Sequence, residues 1–413
     1  AQEARQPPRA MRGGARCPRR PHVGWPRIAP LLPASGRSSL AAGARLLRMI
    51  AALLGPFGLL CAVVLGYAGD PAAVARDLGA YTDALCLDGS PGRYYFRAGS
   101  GGGRSKFHIF FQGGGFCQSH EDCVTRSRTP LGSTKADPDT MQLSSPFSGG
   151  SEAYNPLMWN WNQIEARYCD GAYFSGARRD PVVVGSDEVH YRGMYIVRAM
   201  FEDLMERFSF EDATDIVLSG CSAGSIHVFA HLDAMRALLP KVARVSGLAD
   251  SGFYLDRPVF TPLKRFVIDE QNATEWLNSA CKEKHVRAEE RCLIGSITAP
   301  LLETPLFAWQ SRYDTDQRNC EMTSECKASA ECVRAYGDDL ELSLRSSLAA
   351  RPDMGAFLDS CSRHCMGEGL PRDDATQSTP LQAFAAWYSG GARAYFQHRA
   401  FPCEGCCSVQ HFW

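Results

Sequence analysis

Ser222 stands in Gly220-Cys221-Ser222-Ala223-Gly224, a Gly-x-Ser-x-Gly pattern that follows the apolar run Ile216-Val217-Leu218. Between a strand and a helix, this pattern makes a turn so tight that only small neighbours fit, and the serine hydroxyl is lifted clear of the sheet. The helix starting beneath it aims unpaired N–H groups at negative charge developing there. A serine hydroxyl is a weak nucleophile without a base, and the base needs an orienting acid. On such a scaffold the acid and then the base follow the serine along the chain. Asp314 ends the strand-like stretch 305–314, and Asp316 could substitute for it. The histidines beyond Ser222 include His285, His364, His398 and His411, and His364 lies between Cys361 and Cys365, where a disulfide would fix its loop. His227, five residues past the serine, is expected to point away from it. The remaining requirement is a set of donors for an oxyanion. Gln112-Gly113-Gly114-Gly115-Phe116-Cys117 follows a strand-like run, and its glycines let backbone N–H groups approach a substrate closely. Gly114, Gly115 and Ala223 are the expected donors. A phosphate loop is the poorer reading, because neither a Lys-Ser/Thr pair nor Gly-x-Gly-x-x-Gly spacing is present.

These residues need a scaffold, and the flanking sequence describes one. Residues 106–111 (KFHIFF), 215–220 (DIVLSG), 242–252 and 305–314 read as strands. In residues 187–210, Met194, Val197, Phe201, Leu204 and Phe208 recur at spacings of three and four, the mark of a helix with one buried stripe. Residues 225–240 read as a second helix, stopped at Pro240. Strands alternating with helices predict an α/β fold with a mostly parallel sheet covered on both faces. Residues 125–161 are polar and rich in Gly, Pro and Ser, too long for a simple connector, and read as a functional loop or lid.

The chain of 413 residues is 45% hydrophobic and carries a net charge of −1. Ten arginines and one acid (Glu3) fall in residues 1–48, leaving 34 basic and 44 acidic residues, about −10, for the rest. A body this acidic lacks the footprint for nucleic acid. Residues 1–48 read as an Arg/Pro-rich leader outside the fold, 49–68 as a signal peptide or hydrophobic leader, and 69–413 as a single domain. A transit sequence or an uncleaved anchor competes with the signal reading, and membrane contact is expected only if the leader stays. Fifteen of the seventeen cysteines lie beyond the leader, which predicts disulfides and a secreted protein. The odd count leaves a thiol that is free or bonded to another chain, and Cys221, beside the tight turn, is the candidate. Metal binding by Cys403, Cys406, Cys407 and His411 is disfavoured, because no second ligand pair stands at matching distance. Asn272-Ala273-Thr274 is a glycosylation acceptor triplet consistent with export.

Six ordered blocks (FFQGGGFC, NWNQIEARYCDGAYFSG, VLSGCSAGS, LADSGFYLD, QSRYDTDQ and FLDSCSRHC) resemble the pectin acetylesterase and Notum family of secreted serine hydrolases, from about Cys86 to the PCEGCC near the end. The resemblance implies a three-layer α/β-hydrolase-type fold, with Ser222 as nucleophile, Asp314 as orienting acid and His364 as base. It also implies an oxyanion hole of Gly114, Gly115 and Ala223, and no metal or organic cofactor. The family usually has an acid before the triple glycine and Trp after it, where this chain has Gln112 and Phe116. The expected substrate is an acetylated polysaccharide or another acyl ester, with removal of a longer acyl chain from a protein, or a silent carbohydrate-binding relative, as alternatives. Phe116, Trp159, Tyr168 and Phe174 are the candidate substrate contacts, and the protein is expected to be a monomer.

Overall fold

The structure is a computed structural model that describes residues 70–241, 243–365, 369–403 and 405–407. The leader segments 1–48 and 49–68, and His411, lie outside them.

Twelve strands run along the described chain: β1 (Ala73–Asp77), β2 (Arg93–Arg97), β3 (Lys106–Phe111), β4 (Thr140–Met141), β5 (Asn162–Ala166), β6 (Val182–Val184), β7 (Asp187–Val189), β8 (Asp215–Cys221), β9 (Arg244–Asp250), β10 (Leu306–Ser311), β11 (Gly355–Asp359) and β12 (Ala394–Phe396). Ten form one sheet in the order β12-β11-β10-β9-β8-β3-β5-β2-β1-β4, and β6 and β7 pair separately. From β12 to β5 every neighbour is parallel. The flank β2-β1-β4 is antiparallel. The principal helices are α1 (His120–Ser127), α2 (Gly193–Phe208), α3 (Ala223–Leu238), α4 (Thr261–Glu270), α5 (Thr315–Glu321), α6 (Ala330–Ala350) and α7 (Pro380–Tyr388).

Alternation along the strands explains the layers, since successive side chains leave a strand on opposite faces. Ile216 and Leu218 of β8 pack with Ile226 and Phe229 of α3, Met194 and Phe201 of α2, and Leu340 and Leu344 of α6. Val217, between them in sequence, joins the other face with Trp309, Phe357 and Phe384 and Trp387 of α7. The sheet is therefore covered on both sides, as the alternating pattern predicts, in the three-layer α/β-hydrolase-type arrangement that the resemblance implies. The stripe of α2 is buried at Met194, Val197, Phe201 and Leu204, and Phe208 stacks on Phe96 with ring centroids 3.9 Å apart.

Residues 125–161 differ from expectation: they form an anchored strap, not a lid. Thr140 and Met141 pair with β1. The Tyr95 hydroxyl donates to the Pro138 carbonyl at 2.8 Å, and Arg167 holds Asp137 at 2.8 Å. Phe147, Met158 and Trp161 are buried in the second core. A composition that looks like a loop is held by three scattered apolar anchors, which carry no period to read.

Candidate active site

Four chain segments leave the carboxyl ends of parallel strands and meet there. The glycine loop follows β3, Ser222 follows β8, Asp314 follows β10 and His364 follows β11. Open parallel sheets gather ligand chemistry at this edge, because every strand there hands over to a loop.

Ser222 has φ 55° and ψ −118°, outside the regions that non-glycine residues favour. Such a conformation costs about 1–3 kcal/mol and persists only where its surroundings overdetermine it. Here the Ser222 N–H donates to the Asp250 carbonyl at 3.1 Å, and the Ser222 carbonyl accepts from Ile226 at 2.9 Å. The flanking glycines are obligatory: a Cβ on Gly220 would collide with the Gly224 backbone, and one on Gly224 with the Phe111 carbonyl.

Ser222 Oγ lies 2.7 Å from His364 Nε2, and His364 Nδ1 lies 2.9 Å from both Asp314 carboxylate oxygens. A carboxylate only accepts, so Nδ1 carries the proton and Nε2 is left to accept from the serine. Asp314 is fully buried and caps α5, its Oδ1 accepting from the N–H groups of Asp316 (2.9 Å) and Gln317 (3.0 Å). Burial pushes the imidazole pKa down, but the charge and hydrogen bond of Asp314 outweigh it and hold His364 above its ordinary value.

Both sequence neighbours of His364 are tied down. Arg363 bridges Asp250 (3.0 Å) and Asp359 (2.7 Å) over the Trp309 ring. Cys365 forms a disulfide with Cys221, so the residue before the serine is bonded to the residue after the histidine. Cys221 is therefore not the unpaired thiol, and Cys361 bonds Cys407, not Cys365. A tight turn does not keep a cysteine from bridging when its partner descends onto it from a neighbouring strand end. The other bridges are Cys86–Cys169, Cys117–Cys123, Cys281–Cys292, Cys326–Cys332 and Cys403–Cys406, and Cys320 is disulfide-bonded as well. Cys403, Cys406 and Cys407 are thereby committed to sulfur partners.

The glycine loop passes beside the serine: a Cβ on Gly113 would sit 3.0 Å from that of Ser222. Among the described residues, no hydrogen bond engages the N–H of Gly114, Gly115, Phe116 or Ala223. These groups are available to an oxyanion, and Phe116 joins the three residues the sequence singles out. Gln112 explains the departure from an acidic residue at this position. Its Nε2 donates to buried Glu165 at 2.6 Å, while its Oε1 accepts from Arg167 (3.0 Å) and the Tyr168 N–H (3.2 Å). An acid there would set two carboxylates side by side.

The expected substrate contacts are not all brought to this edge. Phe116 is: it is part-exposed, its ring centroid 4.8 Å from that of Tyr173. Trp159 precedes β5, which runs parallel to β3, so it lies at the amino-terminal edge, a strand length away. Tyr168 and Phe174 are fully buried, and Phe174 packs on Phe111 and His227 as core. Aromatic type alone does not separate a rim residue from a core residue. His227 is also core, stacked on His231 at 4.8 Å. Of the other candidates, His285 lies beside Arg291, His398 beside Glu341, and Asp316 accepts from the Tyr254 hydroxyl at 2.9 Å. Arg363 and Gln112 lie inside blocks that carry the resemblance, but their residue types alone do not show which partners they hold.

Comparison with known proteins places the chain in a family and agrees with its fold. The Drosophila Wnt deacylase Notum structure superposes with a TM-score of 0.70 at 23% identity, covering 82% of this chain and all of that one, a likeness of fold. Pectin acetylesterases 7 and 11 of Arabidopsis thaliana are each 30% identical, over 78% and 79% of this chain and 88% of their own lengths. The human palmitoleoyl-protein carboxylesterase NOTUM is 28% identical over 68% of this chain and 59% of its own length. The Pectinacetylesterase family profile matches residues 77–408, and the chain belongs to that family.

Proposed function

We propose that this chain is a secreted serine carboxylesterase that removes O-acetyl groups from a polysaccharide. The observation that carries the reading is the unbroken relay Ser222–His364–Asp314 beside backbone N–H groups that find no partner among the described residues. In the first step His364 Nε2 takes the hydroxyl proton while Ser222 Oγ bonds to the acyl carbon. The carbonyl oxygen becomes an oxyanion held by backbone donors. The ester C–O bond then breaks, and the departing alkoxide takes the proton from His364. Water repeats the sequence on the acyl-enzyme and restores the serine. These steps use only residues of this chain, and seven disulfides among the described residues suit an oxidising, extracellular setting.

Side chains with polar ends pack behind the relay and the glycine loop. Tyr254 bonds Asp316, whose own N–H bonds Asp314. Lys264 is buried with its Nζ 4.9 Å over the Tyr173 ring, against which Phe116 packs. Burial pulls that amine's pKa down to about 7. A short acyl group is supported by the Arabidopsis relatives named for pectin acetylesterase, each 30% identical to this chain.

Labelling with a fluorophosphonate tests the serine: wild type should label and Ser222→Ala should not. Turnover of p-nitrophenyl acetate and octanoate tests the acyl size. Faster release from acetate is expected, whereas a strong preference for octanoate would move the protein to the long-chain deacylases, and an unlabelled wild type to the silent binders.

A further inference from the structure

An oxyanion hole made of glycines has no side chains of its own to aim its peptide planes. In this structure two side chains from elsewhere do so. Arg126 Nη2, on α1, donates to the Gly114 carbonyl at 2.7 Å. The Tyr168 hydroxyl, just after β5, donates to the Gly115 carbonyl at 2.6 Å. In a trans peptide the C=O and the following N–H point in opposite directions. Holding the Gly114 and Gly115 carbonyls therefore turns the N–H groups of Gly115 and Phe116 away from Arg126 and Tyr168, and these are two of the loop's unpartnered donors.

Both anchors are themselves fixed. Tyr168 is fully buried, and its oxygen also accepts from the Tyr173 N–H at 3.0 Å. The Arg126 guanidinium lies 5.2 Å from the Tyr168 ring centroid, and its Nε donates to the Leu131 carbonyl at 3.1 Å. The Cys117–Cys123 disulfide ties α1 to the end of the glycine loop. Positive φ at Gly114 (150°) and Gly115 (68°) gives the chain the turn that presents both carbonyls to these donors.

We propose that Arg126 and Tyr168 are positioning residues for the oxyanion hole, which orient the peptide planes of Gly114–Phe116 before substrate arrives. The proposal rests on the serine-esterase reading above. Neither side chain touches the substrate in this account, so Tyr168 moves from the expected substrate contacts to the frame behind the donors. Preorganised donors act where charge develops, so their disorder slows chemistry more than it weakens ground-state binding.

The test is Tyr168→Phe, which keeps the ring, with Arg126→Ala and Arg126→Lys as a second, independent pair. For p-nitrophenyl acetate, kcat should fall about 10- to 100-fold in Tyr168→Phe and in Arg126→Ala, below the loss seen when a donor is removed outright. KM should stay within about twofold, and affinity for a trifluoromethyl ketone, whose serine adduct carries an oxyanion, should fall by the same factor as kcat. Arg126→Lys should recover part of the loss. Should Tyr168→Phe fail to fold, the Arg126 pair decides. Folded variants with wild-type kcat, or a loss borne by KM with unchanged ketone affinity, would overturn the proposal while leaving the esterase reading intact. A wild type without turnover would overturn both.

Discussion

The two sides of Ser222 are held by different means. On the relay side, each functional group is held by its own side chain or by those of its sequence neighbours: Cys365 is bonded to Cys221, Arg363 is clamped by Asp250 and Asp359, and Asp314 caps the helix that follows it. On the oxyanion side the working groups are backbone N–H, and what aims them is side chains outside the glycines: Gln112 through Glu165 and Arg167, Arg126 from α1, Tyr168 after β5. A functional side chain can be secured through its own atoms and the side chains beside it in sequence. Backbone chemistry cannot, because the glycines that permit close approach bring no anchors.

The sharpest way to break the relay side is Asp314→Asn. It leaves shape intact but removes the charge that fixes the tautomer and supports the imidazolium, so kcat should drop about 10⁴-fold in a steady-state assay. A drop under tenfold would mean that His364 is oriented mainly by the disulfide and Arg363. A smaller effect is expected from Cys221→Ser combined with Cys365→Ser. Denaturant unfolding should register a loss of about 2–4 kcal/mol from the bridge, with kcat reduced about tenfold, since Arg363 still holds the histidine loop. A kcat loss equal to that of Asp314→Asn would show the staple to be the dominant restraint.

The mildest probe is pH. His364 works only as the neutral base, and Asp314 keeps its pKa above the ordinary 6.5, so kcat/KM should fall as pH drops through a midpoint above 6.5. In Asp314→Asn the residual activity should keep its acid limb at lower pH, and an unmoved limb would assign it to another group. Stability follows the opposite sign at this residue. A folded-state value above the unfolded one makes protonated His364 stabilising, a contribution complete below about 6.5 and lost as pH rises through the raised value. Burial works the other way on His108 and His231, whose pKa values are pulled down to about 4 and about 3. Their contribution is present above the unfolded value and is lost as pH falls from about 6.5 toward those values. With His227, also buried and held well below its ordinary value, three buried imidazoles against one should make chemical denaturation easier at pH 5 than at pH 7.5.

Much of the scaffold could be read in advance. β3 spans the same six residues that the KFHIFF run marks, and β8 and α3 flank Ser222 as the Gly-x-Ser-x-Gly pattern requires. The flank β1, β2 and β4 and the strap 125–161 could not, because short antiparallel segments and isolated apolar anchors leave no period of their own. Choosing His364 over His285 or His398 drew on the resemblance to a known family, since a lone histidine in a loop looks the same wherever the fold later carries it.

By itself the sequence determined the alternation of apolar strands and amphipathic helices, and the small residues that force the turn at Ser222, because periodicity and steric size are local properties. The tertiary structure alone decided that Cys221 meets Cys365, that Tyr168 faces a peptide carbonyl, and that Trp159 lies at the far edge of the sheet. Those outcomes depend on strand order and on which strand end faces which, and residues separated by up to 144 positions come together only through that order.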